Sequence, residues 1–227
     1  MSRSLWEASL EGIRTNLIPG VILWAIGLAV VFIYYRVPAS HGLFEQVSDL
    51  KARYGFGFSA FSTAFFGGFI PFLYLWWVGK IPAGKWLPWA LFFVLFWALR
   101  GMEVDLLYRL QAKWFGDSVD WQTIATKVVV DQFVYCPFWS APVTAIFYGW
   151  KRVGFSWSAY RKGLTLSQWA FQISSLLLST WIVWIPGTAI IYSLPLLLQI
   201  PLFNLVLCFF VLLISVLAPK QKGEEEG

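Results

Sequence analysis

Phe58-Ser-Ala-Phe-Ser-Thr-Ala-Phe-Phe-Gly-Gly-Phe-Ile-Pro-Phe-Leu-Tyr-Leu-Trp-Trp-Val78 carries no charged residue. Its length is close to the roughly 20 residues a helix needs to cross a bilayer core. Two stripes of small residues at a spacing of four run along it, one of Ser59, Thr63 and Gly67 and one of Ala60, Ala64 and Gly68. Such stripes let a second helix backbone approach closely. The stretch therefore reads as a membrane span with a face packed on protein.

Outward from it, five further apolar runs approach spanning length: Leu17 to Tyr35, Trp86 to about Tyr108, Lys127 to Trp150, Gln168 to Ile185, and Pro195 or Pro201 to Ala218. Composition agrees, because 59% of the chain is hydrophobic and 13% charged, whereas soluble domains are about a quarter charged. Water-soluble, disordered and fibrous classes are excluded. The expected fold is all-α, a polytopic transmembrane bundle of about six spans, or five plus a re-entrant segment. That alternative arises at Pro186, Gly187 and Pro195, where the apolar sequence continues but proline removes a backbone donor and breaks a helix. The break is read as a tight hairpin or a re-entrant feature.

Four segments follow. Residues 1–16, with Leu5, Trp6, Leu10 and Ile13 among Arg3, Glu7, Glu11 and Arg14, read as an interfacial amphipathic helix. Residues 17–57 form an extra amino-terminal span, read as uncleaved, and a polar loop that holds His41; 58–218 form the bundle; 219–227 form a solvated acidic tail. Six spans put ten of the 17 Lys plus Arg on the side of the two termini, so the positive-inside rule places both termini in the cytoplasm. The expected location is an integral, multi-pass one, in the cell inner membrane if bacterial and an organellar membrane if eukaryotic.

The net charge of +5 is scattered between apolar runs, which suits anionic lipid and excludes a clustered nucleic-acid face. Cys136 and Cys208 lie inside apolar runs and read as inert core thiols. With no intramembrane His, no His-Glu-x-x-His and no paired-glutamate motif, no enzyme, catalytic residue, cofactor or metal site is expected. The expected partners are membrane lipid and a small polar solute, with a homo-oligomer left open.

Ionisable groups inside spans are costly and mark function. Arg100 with Glu103 and Asp105 with Arg109 are spaced to pair on a helix. They read either as a helix end among headgroups or as a polar lining. Lys127 and Asp131 are one turn apart and could pair, with Gln132 beside them and Pro137 opening the helix further in. Gln168, Gln172, Ser175 and Ser179 make one polar face, suited to interhelical hydrogen bonds or to a wet path. The candidate pore-lining set is Lys127, Asp131, Gln132, Asp105, Arg109, Gln172, Ser175 and Asn204.

Lys127, Asp131, Gln132 and Pro137 follow the spacing Lys-x-x-x-Asp-Gln with Pro five residues on. In the last run Pro195, Asn204 and Ser215 keep three of five positions of a second pattern, while Gln199 and Phe210 depart from it. In a third, Gly101 and Tyr108 are kept but Met102, Asp105 and Leu107 are not. On these motifs the chain, from Phe58 to Ala218, resembles the Mpv-seventeen and 22-kilodalton peroxisomal membrane protein family as a divergent, bacterial-type member. The family's Gly-Asp is missing from Phe66 to Pro71, and its Trp-Pro stretch survives only as Trp184-Ile185-Pro186, two residues out of step. The resemblance implies small-solute channel activity without naming a solute. The competing reading is a structural or assembly protein whose polar groups join helices.

Overall fold

The computed structural model describes residues 5–162 and 165–217, and among these every regular element is helical. In chain order they are α1 (Leu5–Arg36), α2 (His41–Tyr54), α3 (Phe56–Thr63), α4 (Ile70–Trp77), α5 (Trp86–Phe115), α6 (Trp121–Val130), α7 (Ala141–Arg152), α8 (Trp157–Lys162), α9 (Leu166–Tyr192) and α10 (Leu196–Leu217). Two π-helical segments, Ala64–Phe69 and Asp131–Ser140, join α3 to α4 and α6 to α7 without a loop. Among the described residues three helices are long and apolar enough to cross a membrane: Asn16–Arg36, Phe56–Trp77 and Leu196–Leu213.

The rods alternate in direction. Glycine contacts pair Gly20 with Val183 and Gly27 with Ile190, so α1 and α9 run parallel. Gly68 meets Phe93 while Gly101 meets Ser59 and Thr63, so α3–α4 and α5 are antiparallel. Thr63 bonds Asn204 and Gly67 meets Leu207, which makes α3 and α10 parallel. Arg100 reaches Ser140 and Phe92 stacks edge-on to Tyr148, so α7 returns along α5.

The small-residue stripes do what their spacing predicts. Ser59, Thr63, Ala64, Gly67 and Gly68 are buried. A Cβ on Gly68 would stand 2.6 Å from the Phe93 carbonyl oxygen, and one on Gly67 2.6 Å from Leu207. On the opposing helix, a Cβ on Gly101 would overlap the Ser59 carbonyl and the Thr63 hydroxyl.

Three expectations change. The segment read as a separate interfacial helix continues unbroken into the first apolar run as α1; its side chains Leu5, Trp6, Leu10 and Ile13 lie outside the described residues, as does the tail 219–227. The polar loop holds a 14-residue helix, α2, which a 3-10 turn at Pro38–Ser40 leads into and Gly55 ends at a φ of +53°. His41 is its first residue, and its Nε2 lies 3.1 Å from the Tyr34 carbonyl.

The helix also does not break at Pro186. α9 passes through Pro186 and Gly187 to Tyr192, and the chain reverses at Ser193 to Pro195 in a tight turn. Neighbouring helices can satisfy backbone groups that an intrahelical proline frees or tilts. Here the Trp24 indole N–H donates to the Val183 carbonyl at 2.9 Å, three residues before the proline. Pro137 is absorbed differently, within the wider π register of Asp131–Ser140.

Candidate functional site

Buried polar side chains gather where α2 meets α3, along the second half of α5, where α6 passes into the π-helical segment, and where α9 turns into α10. They form four groups.

Asp105 is the centre of the first. Its Oδ2 accepts from Lys51 Nζ at 2.5 Å and from the Ser59 hydroxyl at 2.8 Å, and its Oδ1 accepts from Arg109 Nε at 3.1 Å. Lys51 donates also to Ser59 Oγ at 2.8 Å and to the Gly55 carbonyl at 3.1 Å. The Arg109 guanidinium lies 4.8 Å from the centre of the Phe56 ring. Burial pushes the Lys51 amine below its ordinary value, against the pull of Asp105. The expected Asp105 and Arg109 pair is present, and Lys51 from α2 is a partner that helical spacing alone could not show.

The second group joins α3 to α10. Thr63 donates to Asn204 Oδ1 at 2.7 Å, and Asn204 Nδ2 donates to Ser62 Oγ at 2.8 Å. Both Thr63 and Asn204 are buried.

Arg100 and Glu103 make the third. Arg100 Nη1 reaches both carboxylate oxygens, at 2.6 and 2.8 Å, and Nη2 donates to Ser140 Oγ at 2.5 Å. The Tyr135 hydroxyl donates to Glu103 as well. This pair too follows its sequence spacing.

The fourth surrounds Asp131. Tyr192 OH donates to Oδ2 at 2.6 Å and Gln132 Nε2 to Oδ1 at 2.9 Å. Gln111 Nε2 donates to Tyr192 OH at 2.8 Å, and Tyr108 packs edge-on to the Tyr192 ring with centroids 5.1 Å apart. The expected Lys127–Asp131 pair does not form, although both side chains are buried. Lys127 Nζ instead lies 5.9 Å from the centre of the Tyr192 ring. Among the described residues the carbonyl oxygens of Gln111 and Gln132 are buried without a hydrogen-bond partner. Among those residues this cluster therefore holds one carboxylate, two unpaired acceptors and no cation in salt-bridge contact.

Of the candidate residues, Lys127, Asp131 and Gln132 lie together, Asp105 and Arg109 belong to the Lys51 group, and Asn204 holds α3 to α10. The side chains of Gln172, Ser175 and Ser179 lie outside the described residues. Gln168 serves the α9 capping box, where its backbone N–H donates to Thr165 Oγ1 at 3.3 Å and its Oε1 accepts from the Thr165 backbone N–H at 3.0 Å. Tyr192, Gln111 and Lys51 are functional candidates that sequence spacing missed. A cleft of about 220 Å³ lined by Tyr34, His41, Phe44, Glu45, Ser48 and Asp49 lies beside α1 and α2, away from Asp131. Among the described residues no group of three His, Cys, Asp or Glu could hold a metal ion, and Cys136 and Cys208 are free.

Comparison with protein-family models, curated proteins and solved structures finds no match to this chain.

Proposed function

We propose that the chain is a six-span membrane protein of the channel or transporter type, passing small polar solutes through the bundle past Asp131. The single observation that carries the reading is the Asp131 cluster. A buried carboxylate with no ion-pair partner among the described residues, beside two amide oxygens likewise unpaired among them, presents acceptors to a donor-bearing solute or to water.

Exposed aromatics support six transverse rods. Trp76, Trp77, Trp86 and Trp157 are exposed at the end that holds the α4–α5 and α7–α8 connections; Tyr35, Tyr54, Trp114 and Trp121 are exposed at the other. Between them Phe61, Leu95, Leu99 and Phe138 face outward. Two aromatic girdles around an apolar band are what a bilayer selects. The resemblance to the Mpv-seventeen and 22-kilodalton peroxisomal membrane protein family supports the same class through Lys127, Asp131, Gln132 and Pro137.

The scaffold reading is favoured at one place. Asp105 is saturated by Lys51, Ser59 and Arg109, so that group reads as interhelical structure and the path is assigned to Asp131 alone.

The test is flux of matched anionic, neutral and cationic solutes into vesicles holding wild type or Asp131→Asn at equal density. The expected result is a folded variant with an altered charge preference. Identical rate and selectivity would leave the assembly role ahead. Cysteine labelling at Ser2 and Gly227 checks the span count, with both sites on one side expected.

A further inference from the structure

Lys151, in the last turn of α7, holds its ammonium among four aromatic rings. Nζ lies 4.2 Å from the ring centre of Trp89, 4.6 Å from Phe93, 4.8 Å from Tyr148 and 5.7 Å from Phe92. Among the described residues no carboxylate comes within ion-pair distance of it and no hydrogen bond reaches Nζ, so the ring faces supply its attractive electrostatics. The box is rigid: Phe92 and Phe93 are buried, Phe92 stacks on Phe96, and Tyr148 packs edge-on against both Phe92 and Phe93. An ammonium ringed by aromatic faces is the arrangement that recognises quaternary ammonium groups.

Its position fits a headgroup. The box stands at the end of the bundle marked by exposed Trp76, Trp77, Trp86 and Trp157. Lys85, one turn before Trp89, and Arg152, next to Lys151, are exposed. Those cations suit a phosphate beside the box. Lysine has a flexible four-carbon stem and keeps its charge at the surface readily, so it can leave the box for a phosphate while a second cation enters. The exchange conserves charge inside the rings.

We infer that Trp89, Phe92, Phe93 and Tyr148 form a binding box for the trimethylammonium group of a phosphocholine, in which Lys151 is the internal stand-in. The box works independently of any solute path at Asp131, and its test reads binding and not flux.

The full chain is purified as wild type, Lys151→Ala and Lys151→Ala/Trp89→Ala, with Lys151→Gln as a second opening variant should the alanine fail to fold. Radiolabelled choline is measured by equilibrium dialysis, with 3,3-dimethyl-1-butanol, its neutral isostere, as competitor. Retained lipid is measured after exchange into mixed phosphatidylcholine and phosphatidylglycerol. The expected result is about tenfold tighter choline binding once Lys151 is removed, the shift that one cation–π contact is worth. Loss of that binding in the double variant and no competition by the isostere are also expected. Phosphatidylcholine retained without free-choline binding assigns the site to lipid, and choline binding without a lipid preference assigns it to a soluble ligand; either supports the box. The inference is overturned by a folded opening variant that binds neither, by a double variant that binds as well, or by equal competition from the neutral isostere.

Discussion

The Lys127 ammonium and the Asp131 carboxylate are one helical turn apart, both buried, and do not meet; Tyr192 from α9 takes the carboxylate with its hydroxyl and presents its ring to the ammonium. A salt bridge would have neutralised the site internally. The aromatic residue keeps the two charges distinct within one cluster.

The two charges share Tyr192, so they are expected to couple although they do not touch. A double-mutant cycle with Lys127→Met and Asp131→Asn should give a coupling of about 0.5–3 kcal/mol, the range for residues in one network. Tyr192→Phe, which strands both the Asp131 oxygen and the Gln111 amide, should cost about 1–3 kcal/mol in detergent unfolding. A coupling near zero would place Lys127 outside the Asp131 cluster.

For Asp105, removing one partner should cost far more than removing both. Asp105→Leu leaves the Lys51 ammonium buried and uncompensated, at about 3–5 kcal/mol, while Lys51→Met/Asp105→Leu should recover most of the loss. Thermal unfolding of the two variants checks the order.

Close packing of α3 on α5 predicts a sharp glycine contrast. Gly101→Ala must push apart the Ser59 carbonyl and Thr63, and should cost about 1–3 kcal/mol or more. Gly42→Ala on α2 meets nothing within 4 Å and should stay within about 0.5 kcal/mol of wild type. Equal melting of both would place the Gly101 face against lipid.

Acid should loosen the start of α6. Asp120 caps it, accepting from the Thr123 backbone N–H at 3.0 Å, and bonds from Ser118 and Thr123 hold its carboxyl down at about 2, below the ordinary 3.8. A depressed carboxyl contributes stability above its unfolded value and loses it as pH falls through the folded one. The protection of the Thr123 amide, its exchange corrected for the intrinsic pH dependence, should therefore fall between about pH 4 and pH 2 in wild type. In Asp120→Asn, which keeps a cap without a titrating group, that pH dependence should be absent.

What the sequence made legible was local. Arg100 with Glu103 and Asp105 with Arg109 follow helical spacing because both members sit on one rod, and Gly67 and Gly68 mark a close approach because a missing side chain is visible in the text. The same spacing rule fails at Lys127 because the competing partner, Tyr192, is 61 residues from Asp131. Lys51 is hidden for a like reason: it is 54 residues from Asp105 and lies in a stretch too polar to read as part of the bundle. Pro186 misleads because a proline inside a span need not end the helix: α9 continues through it to Tyr192, and Trp24, 159 residues from Val183, bonds the carbonyl next to the one whose donor the proline removes.

That Trp24-to-Val183 contact also sets a timetable. α1 emerges first, but the helix it lies along in parallel is α9, and 159 residues separate the two atoms that bond. At about 5–20 residues per second, the ribosome needs roughly ten to thirty seconds to supply the partner. Through that interval the Gly20 and Gly27 face of α1 must be covered by lipid or by the insertion machinery. The last event of assembly is then lateral, a finished pair of helices, α9 and α10, closing against the first one made.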